Sequence, residues 1–134
     1  MNRVGIDTNI LIRLLVDDDP SQRPIVEAFG QKLNRVFKGF VALVTILELD
    51  WALRSQYGYS RSQSVSALRR VLRIRGVDVE HHDAVVGALE LVETRNADFA
   101  DALIAMCALE SGCDHVATLD KHAAARIPGM ELLA

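Results

Sequence analysis

Arg3-Val-Gly-Ile-Asp7-Thr-Asn-Ile-Leu-Ile-Arg-Leu-Leu-Val16 joins two different apolar periods without a break. Arg3 to Ile6 is a short β-favouring run that ends at Asp7. The residues after it carry apolar side chains at helical spacing up to an acidic stop at Asp17-Asp18-Asp19-Pro20. A strand that runs into a helix with an aspartate at the junction is the opening unit of a parallel α/β fold, in which ligands sit beyond the carboxyl ends of the strands.

The alternation continues along the chain. Pro24 to Val36 places Ile25, Phe29, Leu33 and Val36 at helical spacing, and Phe40 to Val44 is a run of strand length closed by Thr45. Ile46 to Tyr57 has the length of a helix broken at Gly58. Ser60 starts another, with Val65, Leu68 and Leu72 on one face and Gly76 at its end. Val77 to Val79 forms a minimal strand, Ala84 to Val92 a helix, and Phe99 to Leu109 a strongly apolar helix ending near Gly112. Val116-Ala117 and Met130 to Leu133 supply the last two strands. The expected architecture is an α/β fold with helices on the faces of a central, mainly parallel sheet of about five short strands.

Composition sets the frame for this pattern. The chain has 134 residues, 50% hydrophobic and 25% charged, with eight glycines and three prolines, so disorder is excluded and one domain over residues 1–134 is expected. A chain of this size buries on the order of two-thirds of its unfolded surface and needs no metal or disulfide staple. No apolar stretch approaches the roughly 20 residues of a membrane helix, and Asp7 lies too early for the apolar core of a secretory signal, so a cytoplasmic protein with no membrane partner is expected. Cys107 and Cys113 are too few for a disulfide framework and are read as reduced thiols; with His115 and His122 they match no compact zinc spacing. Trp51, Phe29, Phe37 and Phe40 are assigned to the core, with a groove for a partner as the alternative for some of them.

Acids recur at the ends of these elements. Asp7 follows the first strand and Glu48 lies in the first helical turn after the second. Asp101 begins the apolar helix, with Asp98 three residues before it, and Asp120 follows the Val116 strand. Each has an ordinary explanation, since aspartate caps helices and acids in first turns meet the helix dipole favourably. Thr45-Ile-Leu-Glu48 also fits a capping box. Capping does not explain why four separate segments deliver acids to comparable places on a parallel sheet, where converging carboxylates repel unless a cation neutralises them. All-oxygen ligation suits Mg²⁺ or Mn²⁺ and leaves room for a phosphate oxygen.

Gly5-Ile-Asp7-Thr-Asn9-Ile-Leu, Thr45-Ile-Leu-Glu48-Leu, Asp98-Phe-Ala-Asp101-Ala-Leu-Ile-Ala and Ala117-Thr-Leu-Asp120-Lys together resemble the four motif blocks of a PIN domain. In order, spacing and total length they resemble the VapC-like toxins of bacterial toxin–antitoxin pairs. The resemblance covers essentially the whole chain. It implies a Mg²⁺- or Mn²⁺-dependent endoribonuclease on a three-layer α/β/α PIN-like fold, with Asp7, Glu48, Asp101 and Asp120 as its acidic site and Asp98 as an additional metal residue. It further implies a cognate antitoxin protein that holds the enzyme inactive, and a homodimer. Asp7 and Asp101 are expected as direct ligands, Glu48 as a ligand or as the group that orients the attacking water, and Asp120 as acting directly or through water. Asn9 and Thr118 are candidates for orienting the carboxylates, or ordinary polar groups at a helix start and a strand end. One departure is His122, where many members carry another acid two residues after the position of Asp120; the number of metals is left open.

The net charge of −3 excludes a generally basic coat but conceals a local patch. Arg54, Arg61, Arg69, Arg70, Arg73 and Arg75 lie in a segment free of acids, with Tyr57 and Tyr59 between the first two. Arg69, Arg70 and Arg73 fall on one helical arc, and arginine's planar fork suits phosphate, so this arc is the candidate RNA-binding surface; a solvated helix face is the alternative. Two other functions remain open. A metal-dependent phosphatase or phosphoacceptor domain would also place an aspartate after its first strand, but Thr8-Asn9 lacks the second acid such sites need. A catalytically silent RNA-binding module would use the arginines and leave the acids unexplained.

Overall fold

A computed structural model describes residues 1–133, which form seven helices and five strands. The described residues fall into two compact units, Met1–Glu80 and the chain from His81 onward. All five expected strands are present, and every pairing is parallel. They are hydrogen-bonded as a three-stranded sheet in the first unit and a two-stranded sheet in the second, rather than as one sheet.

In the first unit β1 (Asn2–Gly5) and β3 (Val77–Val79) flank β2 (Phe37–Val41). Val4 lies opposite Gly39 and Val41 opposite Val79. β2 begins and ends three residues earlier than the apolar run suggested. Phe37 enters the ladder opposite Asn2, while Leu43 and Val44 already belong to the next helix. Gly39 is closely packed: a Cβ there would sit 2.6 Å from the Ile6 side chain and 3.0 Å from that of Leu33, so the ends of those side chains would have to shift. Arg3 lies over the Phe40 ring, 4.9 Å from its centroid, and Phe29 meets Phe37 at 5.1 Å.

Helices α1 (Thr8–Leu15), α2 (Arg23–Lys32), α3 (Leu43–Gln56) and α4 (Arg61–Leu72) complete this unit. α2 ends four residues earlier than its apolar spacing suggested, since Leu33 takes an extended conformation and Asn34 a left-handed one. That turn delivers Phe37 to the sheet and leaves Val36 exposed. α4 starts on a capping box the sequence pattern had not singled out. The Ser60 hydroxyl accepts from Gln63 N–H at 3.1 Å, and the Gln63 side chain accepts from Ser60 N–H at 2.9 Å. α3 and α4 are tied through Asp50, which is 5% exposed; it accepts from the Ser64 hydroxyl at 2.6 Å and from Arg54 at 3.0 Å. Trp51, expected in the core, is 58% exposed on the same helix. The buried α3 positions are Ile46, Leu49, Asp50, Ala52 and Leu53, and Trp51 lies off that face.

In the second unit α5 (His82–Arg95) packs on α6 (Phe99–Glu110), and β4 (Val116–Thr118) pairs with β5 (Met130–Leu132). Between the two strands runs α7 (Lys121–Arg126), a helix not anticipated from the sequence, which contacts both of them. Six residues are too few for an apolar period to register. No helix among the described residues is long and apolar enough to cross a membrane.

Candidate active site

Each candidate acid of the first unit lies past the carboxyl end of a strand. Asp7 follows β1, and its carboxylate caps α1 by accepting the Thr8 N–H at 2.7 Å. Glu48 is carried by α3, which follows β2. Because α3 starts at Leu43, Glu48 stands in the second helical turn and not in the first as expected, and Thr45 is inside the helix. The anticipated capping box at Thr45 is therefore absent, and both ordinary explanations for Glu48, reciprocal capping and the dipole of the first turn, fall away with it. Another acid serves that helix start: Glu80, at the end of β3, accepts the Leu43 N–H at 2.8 Å. Glu48 accepts a hydrogen bond from the hydroxyl of Thr8, so Thr8 links it to Asp7.

Asp98, Asp101 and Asp120 form a second group, in the second unit. Asp98 caps α6, accepting from the Asp101 N–H at 3.1 Å. Asp120 caps α7, accepting from His122 N–H at 2.9 Å and Ala123 N–H at 3.0 Å. Asp101 is not a cap. It is half-buried in the first turn of α6, and its carboxyl is pushed above the ordinary aspartate range, first by burial and then by the negative charges of Asp98 and Asp120. Capping thus accounts for where Asp98 and Asp120 stand, but not for the crowding that Asp101 experiences.

Thr118 and Asn9, the polar neighbours named from the sequence, lie at the end of β4 and at the start of α1. Thr118 Oγ1 accepts the backbone N–H of Asp120 at 3.0 Å, fixing the turn that carries this acid. Asn9 is exposed in the first turn of α1 and lines a pocket of about 180 Å³ together with Ile10, Arg13 and Val26. Arg69 and Arg70 lie in the last turn of α4 and Arg73 is its C-cap, with Arg70 and Arg73 exposed. Thr8 was not singled out from the sequence. A threonine after an aspartate reads as an ordinary helix-start residue, and only the fold brings its hydroxyl to Glu48, forty positions away.

The donor set bears on a cation. Among the described residues no group of three His, Cys, Asp or Glu side chains forms a ready-made metal-ligand cluster. Mg²⁺ does not require one, since it keeps several waters and binds through one or two carboxylates plus substrate phosphate. The oxygen-only chemistry of these acids and the repulsion felt by Asp101 fit such an ion and do not fit a soft-ligand metal.

The raised Asp101 carboxyl has a consequence for stability. The folded chain holds this proton more tightly than the unfolded chain does, so the contribution to stability is present below the ordinary aspartate range and is lost as pH rises through the raised value. In metal-free buffer Asp101→Asn is therefore expected to raise the thermal midpoint at neutral pH relative to wild type, with the difference vanishing on acidification. Added Mg²⁺ should stabilise wild type more than the variant. Calorimetric scans across pH check this, and an Asn variant less stable than wild type at neutral pH would contradict the repulsion.

The PIN domain family profile matches residues 4–129. No relative was found among curated proteins. Among solved structures, the crystal structure of VapBC2 from Rickettsia felis bound to a DNA fragment from their promoter is similar at 18% identity, covering 99% of this chain and 98% of that one, with a TM-score of 0.38.

Proposed function

The chain belongs to the PIN domain family, and we propose that it is a Mg²⁺- or Mn²⁺-dependent endoribonuclease, the toxin of a toxin–antitoxin pair. The observation that carries this reading is the match of the PIN domain family over residues 4–129; the Asp101 carboxyl, raised first by burial and then by the charges of Asp98 and Asp120, supports it, because a bound cation would offset both. Agreement of all four motif blocks with the VapC-like pattern supports the toxin assignment.

Asp7 and Asp101 are the residues proposed to hold the cation, with Glu48, Asp120 and Asp98 as further oxygen donors. When bound, the ion supplies Lewis acidity at the scissile phosphate and lowers the pKa of water at the site. Glu48 is the acid best placed to orient an attacking water, because none of its carboxylate is spent on a helix cap and one oxygen is already fixed by Thr8. Asp120 is hydrogen-bonded to two backbone N–H groups and carried by the Thr118 turn, which suits a residue that positions solvent or ligand. Arg69, Arg70 and Arg73 are proposed to engage the RNA backbone.

The test is cleavage of single-stranded RNA by the purified chain. Fragments should accumulate with Mg²⁺ or Mn²⁺ and none with excess chelator, and a small protein encoded beside this one should bind the chain and suppress the reaction. Cleavage that persists in chelator, or a chain inert toward RNA with every divalent ion tried, would overturn the proposal.

A further inference from the structure

Thr8 spends both of its hydrogen-bond donors on candidate acids. It is 5% exposed, at the first position of α1; its backbone N–H donates to Asp7 and its hydroxyl to Glu48. A buried hydroxyl must find a partner, and in a helix the usual one is a carbonyl a turn earlier. Ser55 and Thr94 follow that habit, donating to Trp51 O at 2.6 Å and Glu90 O at 2.8 Å. Thr8 stands at the start of its helix, where no preceding helical turn offers a carbonyl, and its hydroxyl goes to a carboxylate on another helix.

The mechanical properties of the two side chains differ in a useful way. Glutamate has three rotatable bonds, and Glu48 is exposed in the second turn of α3, so by itself it would sample many orientations. Threonine is branched at Cβ and stiff at χ1, and Thr8 is held by burial and by its own backbone bond to Asp7. A stiff, buried donor therefore holds one oxygen of a flexible acceptor and leaves the other available. The same residue also meets Asp7, but through its backbone N–H, so of the two acids only Glu48 depends on the Thr8 side chain.

Resting on the proposal that Glu48 belongs to the acidic site, we infer that Thr8 is a positioning residue for Glu48, setting the orientation in which that carboxylate meets the cation or the attacking water. It touches neither substrate nor ion. Its contribution is to pre-arrange an acid that would otherwise have to be ordered at each turnover.

The experiment compares Thr8→Val, which keeps the branched shape and removes the donor, with Thr8→Ser, which keeps the donor and removes a methyl group. Mn²⁺ affinity is read by calorimetry, and kcat and KM for a short RNA are read separately. Thr8→Val is expected to lower Mn²⁺ affinity or kcat by roughly 10- to 100-fold with KM for RNA little changed. Thr8→Ser should recover most of that loss. In a Glu48→Gln background Thr8→Val should add little further loss, because the two act as one unit. Should the valine variant not fold, Thr8→Ala takes its place in the same comparison. Equal losses in the valine and serine variants, or full additivity with Glu48→Gln, would reduce Thr8 to a packing residue. A Glu48→Gln chain with wild-type kcat and Mn²⁺ affinity would overturn the role of Glu48 and that of Thr8 with it, while a wild-type chain that neither binds Mn²⁺ nor cuts RNA would overturn the nuclease proposal itself.

Discussion

Replacing Asp7 or Asp101 by asparagine is expected to lower the proposed metal-dependent RNA cleavage by roughly 10³-fold, since on that proposal each change removes a ligand charge worth several kcal/mol of transition-state stabilisation, at about 1.4 kcal/mol per factor of ten. Asparagine is close to isosteric with aspartate, and the structure indicates that neither change should harm the fold. At position 7 asparagine caps a helix about as well as aspartate and can still accept the Thr8 N–H. At position 101 the carboxylate is no cap, and removing its charge relieves first the cost of burying it and then the repulsion from Asp98 and Asp120. Loss of activity should therefore come with an unchanged midpoint for Asp7→Asn and a raised one for Asp101→Asn in metal-free buffer. That combination separates chemistry from stability. Cleavage rates under saturating Mg²⁺, measured beside thermal scans of the same preparations, decide the matter, and wild-type rates in both variants would remove these acids from the site.

The pattern from which the acids were picked out was legible because it depends on local signals. β1 and its helix, the minimal strand Val77–Val79 and the apolar helix from Phe99 all follow their expected positions closely, and Asp7 and Asp120 sit where the chain turns from strand to helix, while Asp98 and Asp101 stand at a turn from helix to helix. What was not legible depends on partners remote in sequence. α2 stops at Lys32 because Phe37 is claimed by the ladder opposite Asn2, a pairing that no window around Val36 contains. The same claim moves β2 toward its start and frees Leu43 and Val44 for α3, which then carries Glu48 into its second turn. Register thus decided whether Glu48 was a cap or a candidate ligand. Thr8 and Glu80 were invisible for a related reason: each acts on an element about forty positions away, Thr8 on Glu48 and Glu80 on the start of α3. Trp51 was misplaced because an aromatic residue within an apolar helix reads as core, whereas the face of α3 it occupies is exposed.

Changing Arg69, Arg70 and Arg73 together to glutamine is expected to weaken RNA binding without touching the chemistry of the acids. Arg69 and Arg70 end α4 and Arg73 caps it, so the three follow one another round a single arc at the C-terminal end of that helix. Its apolar side is formed by Val65, Leu68 and Val71, which are buried, and glutamine is a good helix former, so the substitutions leave the packing of α4 in place. If each guanidinium neutralises one phosphate of a single strand, the slope of log affinity against log salt should flatten by roughly two, from about 0.7 per contact. Extrapolated to about 50 mM salt, the same relation gives an affinity loss of roughly 10²- to 10³-fold, which should shrink toward nothing near 1 M. Mn²⁺ affinity should be unchanged, because none of the three is an oxygen donor. The measurement is RNA affinity over a salt series in an Asp7→Asn background, where cleavage does not consume the ligand. A flattened slope with intact Mn²⁺ binding assigns the arc to substrate engagement. A triple variant with the wild-type slope would make the arginines a solvated helix face, and the RNA path would then have to be carried by other cations of the chain.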